Sequence, residues 1–143
     1  MLKTLDQTRP VTPESVVLDL GSGHGGLSHE IAKKFGCAVH SFNISPEQNE
    51  MNREEAKRLG IGELITVSAG DFNANFPPPA MVGKFTHVIS CEVFCHAASK
   101  PDLLCAIETL LVPGGALVFT DIMGADGANQ RPTTVAICNS VGV

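Results

Sequence analysis

A short apolar strand that runs directly into a cluster of glycines is the feature that most constrains the fold of this chain. Residues 15–20 are mostly apolar, and they are followed by Gly21, Ser22, Gly23, His24, Gly25 and Gly26. Glycines allow the backbone to turn tightly and to approach a ligand that a Cβ atom would keep away. An amphipathic segment, residues 26–35, follows and stops at Gly36. The pattern predicts a strand–turn–helix unit with a ligand at the turn.

Apolar runs and amphipathic segments alternate along the rest of the chain. Further strands are predicted at residues 38–42, 64–68, 85–91 and 116–122, and helices at about 46–59 and 101–111. Ser45 and Ser99 are predicted N-caps, and Gln48 is placed to complete a capping box with Ser45. This alternation predicts one α/β domain over residues 1–143, with a doubly wound parallel sheet of about five strands and helices on both faces.

The glycine spacing alone leaves two classes of ligand open. Gly21, Gly23 and Gly26 satisfy the G-x-G-x-x-G pattern of dinucleotide-binding proteins, so an NAD-type oxidoreductase is one alternative. Asp19, two residues before the first glycine, would place a carboxylate close to a pyrophosphate of the same charge sign. A carboxylate at this position suits a ligand that carries an ammonium group, such as the methionine end of S-adenosylmethionine.

Five segments match a known family in order and spacing. They are residues 19–25, residues 39–52 around Asn43-Ile44-Ser45-Pro46-Glu47-Gln48, Gly70-Asp71-Phe72, Ser90-Cys91-Glu92 with His96, and residues 111–115 with Thr120-Asp121. Together they resemble the class I S-adenosylmethionine-dependent methyltransferases. Within that class they are most similar to the sarcosine/dimethylglycine methyltransferases and related small-molecule N-methyltransferases. The resemblance covers about residues 15–127 and implies a Rossmann-like fold with S-adenosylmethionine as cofactor and S-adenosylhomocysteine as product.

The candidate cofactor-binding residues follow the carboxyl ends of the predicted strands, where α/β sheets bind ligands. Asn43 ends the second strand, where many such sheets have an acid for the ribose hydroxyls; a plain turn asparagine is the alternative. Asp71 can accept from the adenine amine with Phe72 near the ring, unless it is an ordinary loop aspartate. The predicted set is Asp19, Gly21, Ser22, Gly23, Gly25, Asn43, Ile44, Gln48, Gly70, Asp71, Phe72, Cys91 and Glu92.

His96 is the candidate catalytic residue. It lies just past the fourth strand, and an imidazole titrates near neutral pH, which suits removal of a proton from an amine. The alternative is that His96 only lines the pocket, since methyl transfer depends mostly on alignment of the reactants. Cys91, Cys95 and His96 provide too few ligands for a zinc site, so no metal is expected. His24 and His29 are interpreted as structural or solvent-facing.

Composition limits the expected partners and compartment. A net charge of −5 argues against sequence-independent binding of nucleic acid, which needs clustered Lys and Arg. The five cysteines are odd in number and form no Cys-x-x-Cys, which predicts reduced thiols and a cytoplasmic location. No apolar run reaches the roughly 18 residues of a membrane span, so no membrane partner is expected.

The chain departs from the family pattern at both ends. Class I methyltransferases normally have helical segments before the first strand, and a helix and two further strands after the fifth. Here the first strand is predicted near residue 15 and only residues 122–143 follow Asp121, so we expect a fold truncated relative to the usual seven strands. Residues 128–143 form an atypical tail. Its β-branched run, residues 133–138, is predicted to pair with the fifth strand, within the chain or across a homodimer.

The predicted function is S-adenosylmethionine-dependent methylation of a small-molecule amine, such as a methylated glycine. In the resembling group much of the acceptor pocket comes from the parts that are expected to be missing. A donor-binding module without turnover is therefore one alternative, and an NAD-type dinucleotide-binding protein is another.

Overall fold

The computed structural model describes residues 1–122 and 132–138. The helices and strands follow in the order α1 (Leu2–Thr8), β1 (Val16–Leu20), α2 (Gly26–Phe35), β2 (Ala38–Asn43), α3 (Pro46–Arg58), β3 (Ile65–Ala69), β4 (Phe85–Cys91), α4 (Lys100–Leu110), β5 (Leu111–Ile122) and β6 (Pro132–Cys138). Short 3₁₀ turns lie at Gly62–Leu64, Pro79–Met81 and Phe94–His96. Ser45 and Ser99 cap α3 and α4 as predicted, because each hydroxyl accepts from a backbone N–H in the first turn.

The strands form one sheet in the order β3-β2-β1-β4-β5-β6. The first five are parallel, and β1 pairs with β2 on one side and with β4 on the other. β2 and β3 therefore lie on one side of β1, and β4 and β5 lie on the other side. Ligands of doubly wound sheets bind at this switch point, beyond the carboxyl ends of the strands. The predicted α/β fold with five parallel strands is confirmed.

Neighbouring residues of the central strands pack on opposite faces of the sheet. Leu18, Val88 and Leu117 belong to a buried cluster with residues of α4. Val17, Ile89 and Val118 belong to a second cluster with Leu5 of α1 and Ile31 of α2. Because both faces are covered, the strands can be apolar throughout, which is the pattern of buried parallel strands.

The tail strand predicted from the β-branched run is confirmed within the chain itself. β6 pairs antiparallel with β5, from Ala116 opposite Cys138 to Ile122 opposite Pro132. The backbone groups along this edge of β5 thus have partners in the same chain. β6 becomes the outer strand of the sheet.

Two elements differ from the expectation. The helix α1 precedes β1 and buries Leu5 fully, although no helix was expected there. Seven residues with a single buried position give no periodic signal to read. β5 begins at Leu111 rather than at residue 116. The register between β4 and β5 shifts between Phe85 and His87, and Gly114, with a φ of 70°, lies inside the strand. The strand therefore continues through the glycine pair that the sequence had indicated as a turn. Within residues 1–122 and 132–138, no helix is long and apolar enough to cross a membrane.

Candidate functional site

A cleft of about 330 Å³ opens at the carboxyl ends of β1 to β4. Its walls come from the glycine turn (residues 21–26), the end of β2 with the start of α3, the loop after β3 and the loop after β4. The lining residues are Gly21, Gly23, Phe42, Asn43, Ile44, Gln48, Gly70, Asp71, Phe72, Asn73, Cys91, Glu92, Val93 and His96. A volume of this size suits a small-molecule ligand.

The glycine turn is fixed by backbone bonds and by close packing. The amides of Gly21 and Ser22 both donate to the carbonyl of Phe42, at 2.8 and 3.3 Å, which ties the turn to the end of β2. Gly21 has a φ of 77°, and a Cβ atom there would overlap the side chain of Val93. At Gly23, with φ of 54°, a Cβ would meet nothing within 4 Å. Gly21 is therefore required by the packing, whereas Gly23, which also lines the cleft, has open space around its Cβ position.

Asp19 lies beneath the glycine turn and does not line the cleft. Its side chain is only 2% exposed and its Oδ2 accepts from the hydroxyl of Ser28 at 2.6 Å. Burial raises the pKa of Asp19 to about 6, while the hydroxyl and backbone N–H of Ser28 oppose the rise. Ser28 is in the first turn of α2, where a carboxylate is favoured by the helix dipole. Asp19 thus holds α2 against β1, and its predicted contact with an ammonium group stays a prediction.

Ser22 and Gly25 are the other predicted residues that do not line the cleft. The hydroxyl oxygen of Ser22 is buried and has no hydrogen-bond partner among the described residues. Gly25 has a φ of 83°, and a Cβ atom there would overlap the carboxamide of Asn52 on α3. Gly25 is therefore needed for the close approach of the turn to α3.

Asn43 and Gln48 are joined at the β2 end of the cleft. The Asn43 Nδ2 donates to the Gln48 Oε1 at 3.1 Å, and Asn43 is 8% exposed. Gln48 forms half of the predicted capping box, since its backbone N–H donates to the Ser45 hydroxyl at 3.3 Å while its carboxamide contacts Asn43 instead. Ile44 is 62% exposed and presents an apolar side chain at the cleft.

The loop after β3 brings Gly70, Asp71 and Phe72 to the cleft. A Cβ atom at Gly70 would overlap the ring of Phe42, so glycine is required at this close contact. The Asp71 Oδ1 accepts from the backbone N–H of Asn73 at 2.8 Å. Phe72 is partly buried against the core cluster on the α4 side of the sheet.

Cys91 at the end of β4 and Glu92, Val93 and His96 in the loop after it line the cleft. It is held from below by Phe94, whose ring stacks on Phe119 of β5 at 4.4 Å. The backbone N–H of Cys95 donates to the Asp121 Oδ2 at 3.2 Å. His96 ends the 3₁₀ turn and is exposed at the cleft.

The two thiols near this loop both have raised pKa values. Burial and the nearby Glu92 raise the pKa of Cys91, and burial and Asp121 raise the pKa of Cys95. The four cysteines whose side chains are described are all free thiols. Cys91, a member of the predicted cofactor-binding set, is among the residues that line the cleft. In the described part of the chain, no group of three or more His, Cys, Asp or Glu side chains could hold a metal ion.

The structure therefore brings most of the predicted residues together, including His96, and adds Phe42, Asn73 and Val93. Phe42 was indistinguishable from a core residue because it ends an apolar strand. Asn73 gave a weak signal, as a polar residue two positions after Asp71. His24 is exposed and His29 is buried, with its Nε2 2.8 Å from the Asn52 Oδ1, as their interpretation required.

Comparison with known proteins supports the class that the fold and the cleft define. The profile of the methyltransferase domain family matches residues 12–139. A sarcosine/dimethylglycine N-methyltransferase of Halorhodospira halochloris is 36% identical over 119 residues, which are 83% of this chain and 42% of that protein. A sterol 24-C-methyltransferase of Eremothecium gossypii is 35% identical over 106 residues, which are 73% of this chain and 27% of that protein.

Two solved structures match with the same class of fold. A Galdieria sulphuraria protein assigned as a sarcosine dimethylglycine methyltransferase gives a TM-score of 0.78 at 29% identity, covering 84% of this chain and 43% of that one. A geranyl diphosphate methyltransferase in complex with S-adenosylmethionine gives a TM-score of 0.73 at 25% identity, covering 82% of this chain and 46% of that one.

A parallel sheet with a glycine turn and a cleft of small-molecule size at its switch point defines an α/β protein of the Rossmann-like class. This chain belongs to the methyltransferase domain family. The geranyl diphosphate methyltransferase with the same fold was solved with S-adenosylmethionine bound, which supports S-adenosylmethionine as the cofactor. The family predicted from the sequence is confirmed, and the match favours it over an NAD-type protein. The chain spans less than half the length of the curated relatives it matches.

Proposed function

We propose that this chain binds S-adenosylmethionine in the cleft and transfers its methyl group to the amine of a small molecule, such as a methylated glycine. The observation that carries the proposal is the convergence of the glycine turn with the ends of β2, β3 and β4 around one cleft. The family match and the sarcosine/dimethylglycine N-methyltransferase relatives support it.

The cleft residues fit the parts of the donor. Open space at Gly23 leaves room for the methionine portion beside the backbone of the turn. The Asn43–Gln48 pair presents amide groups that can donate to and accept from ribose hydroxyls. Asp71, Phe72 and the exposed Ile44 offer an acceptor and apolar surface for an adenine ring.

When bound, S-adenosylmethionine supplies a methyl group on a positively charged sulfur, which is a good leaving group. The protein's contribution is mainly to hold the two reactants in line. An ammonium has no free electron pair, so an amine acceptor must lose a proton before its nitrogen can attack. His96, exposed at the cleft, is the group that would take that proton.

One observation favours the alternative of donor binding without turnover. Among the described residues that line the cleft, none is Lys or Arg, and Asp71 and Glu92 are acids. The carboxylate of a glycine-derived acceptor would therefore find only His96 as a possible positive partner there. A chain that binds the donor but lacks a receptor for this carboxylate would not methylate a glycine derivative.

Donor binding is tested by thermal unfolding with S-adenosylhomocysteine, and with NAD as the matched control. A ligand at 100 times its Kd stabilises the folded state by about 2.7 kcal/mol, so S-adenosylhomocysteine should raise the Tm clearly. NAD should leave the Tm unchanged. The reverse result would contradict the assignment.

Turnover is tested with methyl-labelled S-adenosylmethionine and three acceptors. Sarcosine and dimethylglycine carry the carboxylate, and N-methylethylamine replaces the carboxylate of sarcosine by a methyl group. Label in sarcosine or dimethylglycine supports the proposed acceptor class. Label in N-methylethylamine alone would move the acceptor class to simple amines, and donor binding with no labelled product would establish the alternative.

The partners and the compartment stay proposals. The homodimer was predicted to form through the edge of β5. Because β6 already pairs with that edge, a dimer at this side of the sheet would have to use the outer edge of β6. Sedimentation at several concentrations tests for that dimer. The cytoplasmic location and the absence of a nucleic-acid partner rest on the cysteine pattern and the net charge alone, and cell fractionation tests the former.

A further inference from the structure

Asn73 connects two loops that the sheet itself does not join. The loop after β3 carries Asp71, and the loop after β4 carries His96. In the sheet β3 and β4 are separated by β2 and β1, which places them roughly 14 Å apart at the usual strand spacing. No ladder hydrogen bond can therefore fix one loop relative to the other.

Asn73 lies in the loop after β3, and both ends of its carboxamide contact the backbone of the loop after β4. Its Nδ2 donates to the carbonyl of His96 at 3.1 Å, and its Oδ1 accepts from the backbone N–H of Ala98 at 2.9 Å. Bonding the C=O of one residue and the N–H two residues later is how a parallel strand pairs with its neighbour. We call this pair of contacts the Asn73 bridge.

Within the loop after β3, the Asn73 bridge is tied to Asp71. The Asp71 Oδ1 accepts from the backbone N–H of Asn73 at 2.8 Å, so the carboxylate and the bridge are parts of one hydrogen-bonded unit. On its far side the His96 turn is held by the bond from the Cys95 N–H to Asp121. The turn that carries His96 is thus contacted from two sides, by Asp121 of β5 and by the Asn73 bridge.

The bridge also forms a wall of the cleft. Phe72 and Asn73 line both the cleft and a second cavity of about 220 Å³, which lies toward the start of α4. Asn73 is exposed, and hydrogen bonds in contact with water contribute little each. The bridge is therefore weak enough to respond when a ligand occupies the cleft.

We propose that Asn73 is a positioning residue, which couples occupation of the Asp71 side of the cleft to the placement of the loop that carries His96. The proposal rests on the proposed function, because it needs the donor to contact the Asp71 side. In the free protein the bridge holds the two loops together loosely. The bound donor orders Asp71, and through the bridge it orders His96 and Ala98.

The test is amide hydrogen exchange by NMR on the full chain, with and without saturating S-adenosylhomocysteine. Asn73→Ala removes the bridge. Asn75→Gly is the matched control, since it removes the same carboxamide two residues along, where a φ of 54° suits glycine. The Gly23 amide reports occupation of the cleft independently of the bridge.

In the free proteins, the Ala98 amide should exchange about tenfold faster in Asn73→Ala than in wild type or Asn75→Gly, the scale of one lost hydrogen bond. With S-adenosylhomocysteine, Ala98 exchange should slow further in wild type and Asn75→Gly but not in Asn73→Ala, while the Gly23 signal shifts in all three.

Two results would overturn the proposal. One is an equal rate of Ala98 exchange in free wild type and free Asn73→Ala. The other is that S-adenosylhomocysteine slows Ala98 exchange by the same factor in wild type and in Asn73→Ala. If wild type fails to bind S-adenosylhomocysteine, the proposed function fails as well as the coupling. Faster Ala98 exchange in free Asn73→Ala would then still show that the bridge exists, so the two failures can be told apart.

Discussion

Asp19 is a carboxylate that the fold buries at the base of the glycine turn, and burial raises its pKa to about 6 from an ordinary value of 3.8. Between these two pH values the folded protein binds the proton more tightly than the unfolded chain does. The free energy of unfolding of wild type, measured relative to Asp19→Asn, should therefore rise as the pH falls from 7 to 4. The expected rise is at most about 3 kcal/mol. Urea unfolding at each pH measures it.

The control for Asp19 is Asp102→Asn, which changes an exposed aspartate in the first turn of α4. At each pH, the free energy of unfolding of either variant is subtracted from that of wild type. The difference no longer contains the pH dependence of the other titratable groups. Parallel stability curves for wild type and Asp19→Asn over this pH range would show that Asp19 keeps an ordinary pKa in the folded state.

Gly21 and Gly23 both have a positive φ but different surroundings, which makes them a matched pair. Gly21→Ala places a Cβ against Val93 and should lower the free energy of unfolding by about 2–4 kcal/mol, through overpacking and backbone strain. Gly23→Ala should cost only the strain, about 1–2 kcal/mol, because its Cβ enters open space. That same Cβ lies where we expect the donor, so Gly23→Ala should weaken S-adenosylhomocysteine binding. Urea unfolding and calorimetric titration separate the two effects.

The overlap of the new Cβ with Val93 is expected to cause much of the stability loss in Gly21→Ala. The double variant Gly21→Ala/Val93→Ala should then lose less stability than the sum of the single variants. Simple additivity would place the strain elsewhere in the turn.

His96 is tested by substitution, provided that an acceptor is found. His96→Ala and His96→Gln should both lower methyl transfer by roughly 10²–10⁴-fold while S-adenosylhomocysteine affinity stays nearly unchanged, because neither residue can take a proton. The comparison with glutamine is informative since glutamine retains polar bulk at the cleft. Normal turnover by His96→Gln would reduce the histidine to a lining residue.

At the scale of elements, β6 decides how the sheet ends. Removing residues 132–143 should leave the apolar edge of β5 with unpaired N–H and C=O groups, and such edges recruit other chains. We expect aggregation or a higher oligomer by light scattering, with S-adenosylhomocysteine affinity retained because the described lining of the cleft comes from the ends of β1 to β4 and the loops that follow them.

The matched truncation removes only residues 139–143 and keeps β6 in place, so its oligomeric state should equal that of the full chain. Hydrogen exchange gives an independent measure, since ladder amides of β6 should be protected. Fast exchange throughout residues 133–138, or an unchanged oligomeric state after the longer deletion, would mean that β6 does not protect this edge.

At the scale of the whole molecule, strand order decides which residues meet. The glycine turn and the ends of β2, β3 and β4 are distant in the chain but share one edge of the sheet. The two loops that carry Asp71 and His96 come from strands that are not neighbours, and they are joined by Asn73. The cleft is therefore a property of the topology, and each element contributes only part of it.

The sequence alone determined the alternation of strands and helices, the caps at Ser45 and Ser99 and the glycine turn, because these depend on local periodicity and on turn chemistry within a few residues. Motifs at the strand ends were enough to indicate the family and most of the cleft. Only the tertiary structure decided that Asp19 is buried against Ser28, that β6 pairs within the chain, and that Asn73 reaches the backbone of His96 and Ala98. Each of these contacts joins segments that come together when the sheet forms, and a local pattern carries no information about distances across the sheet.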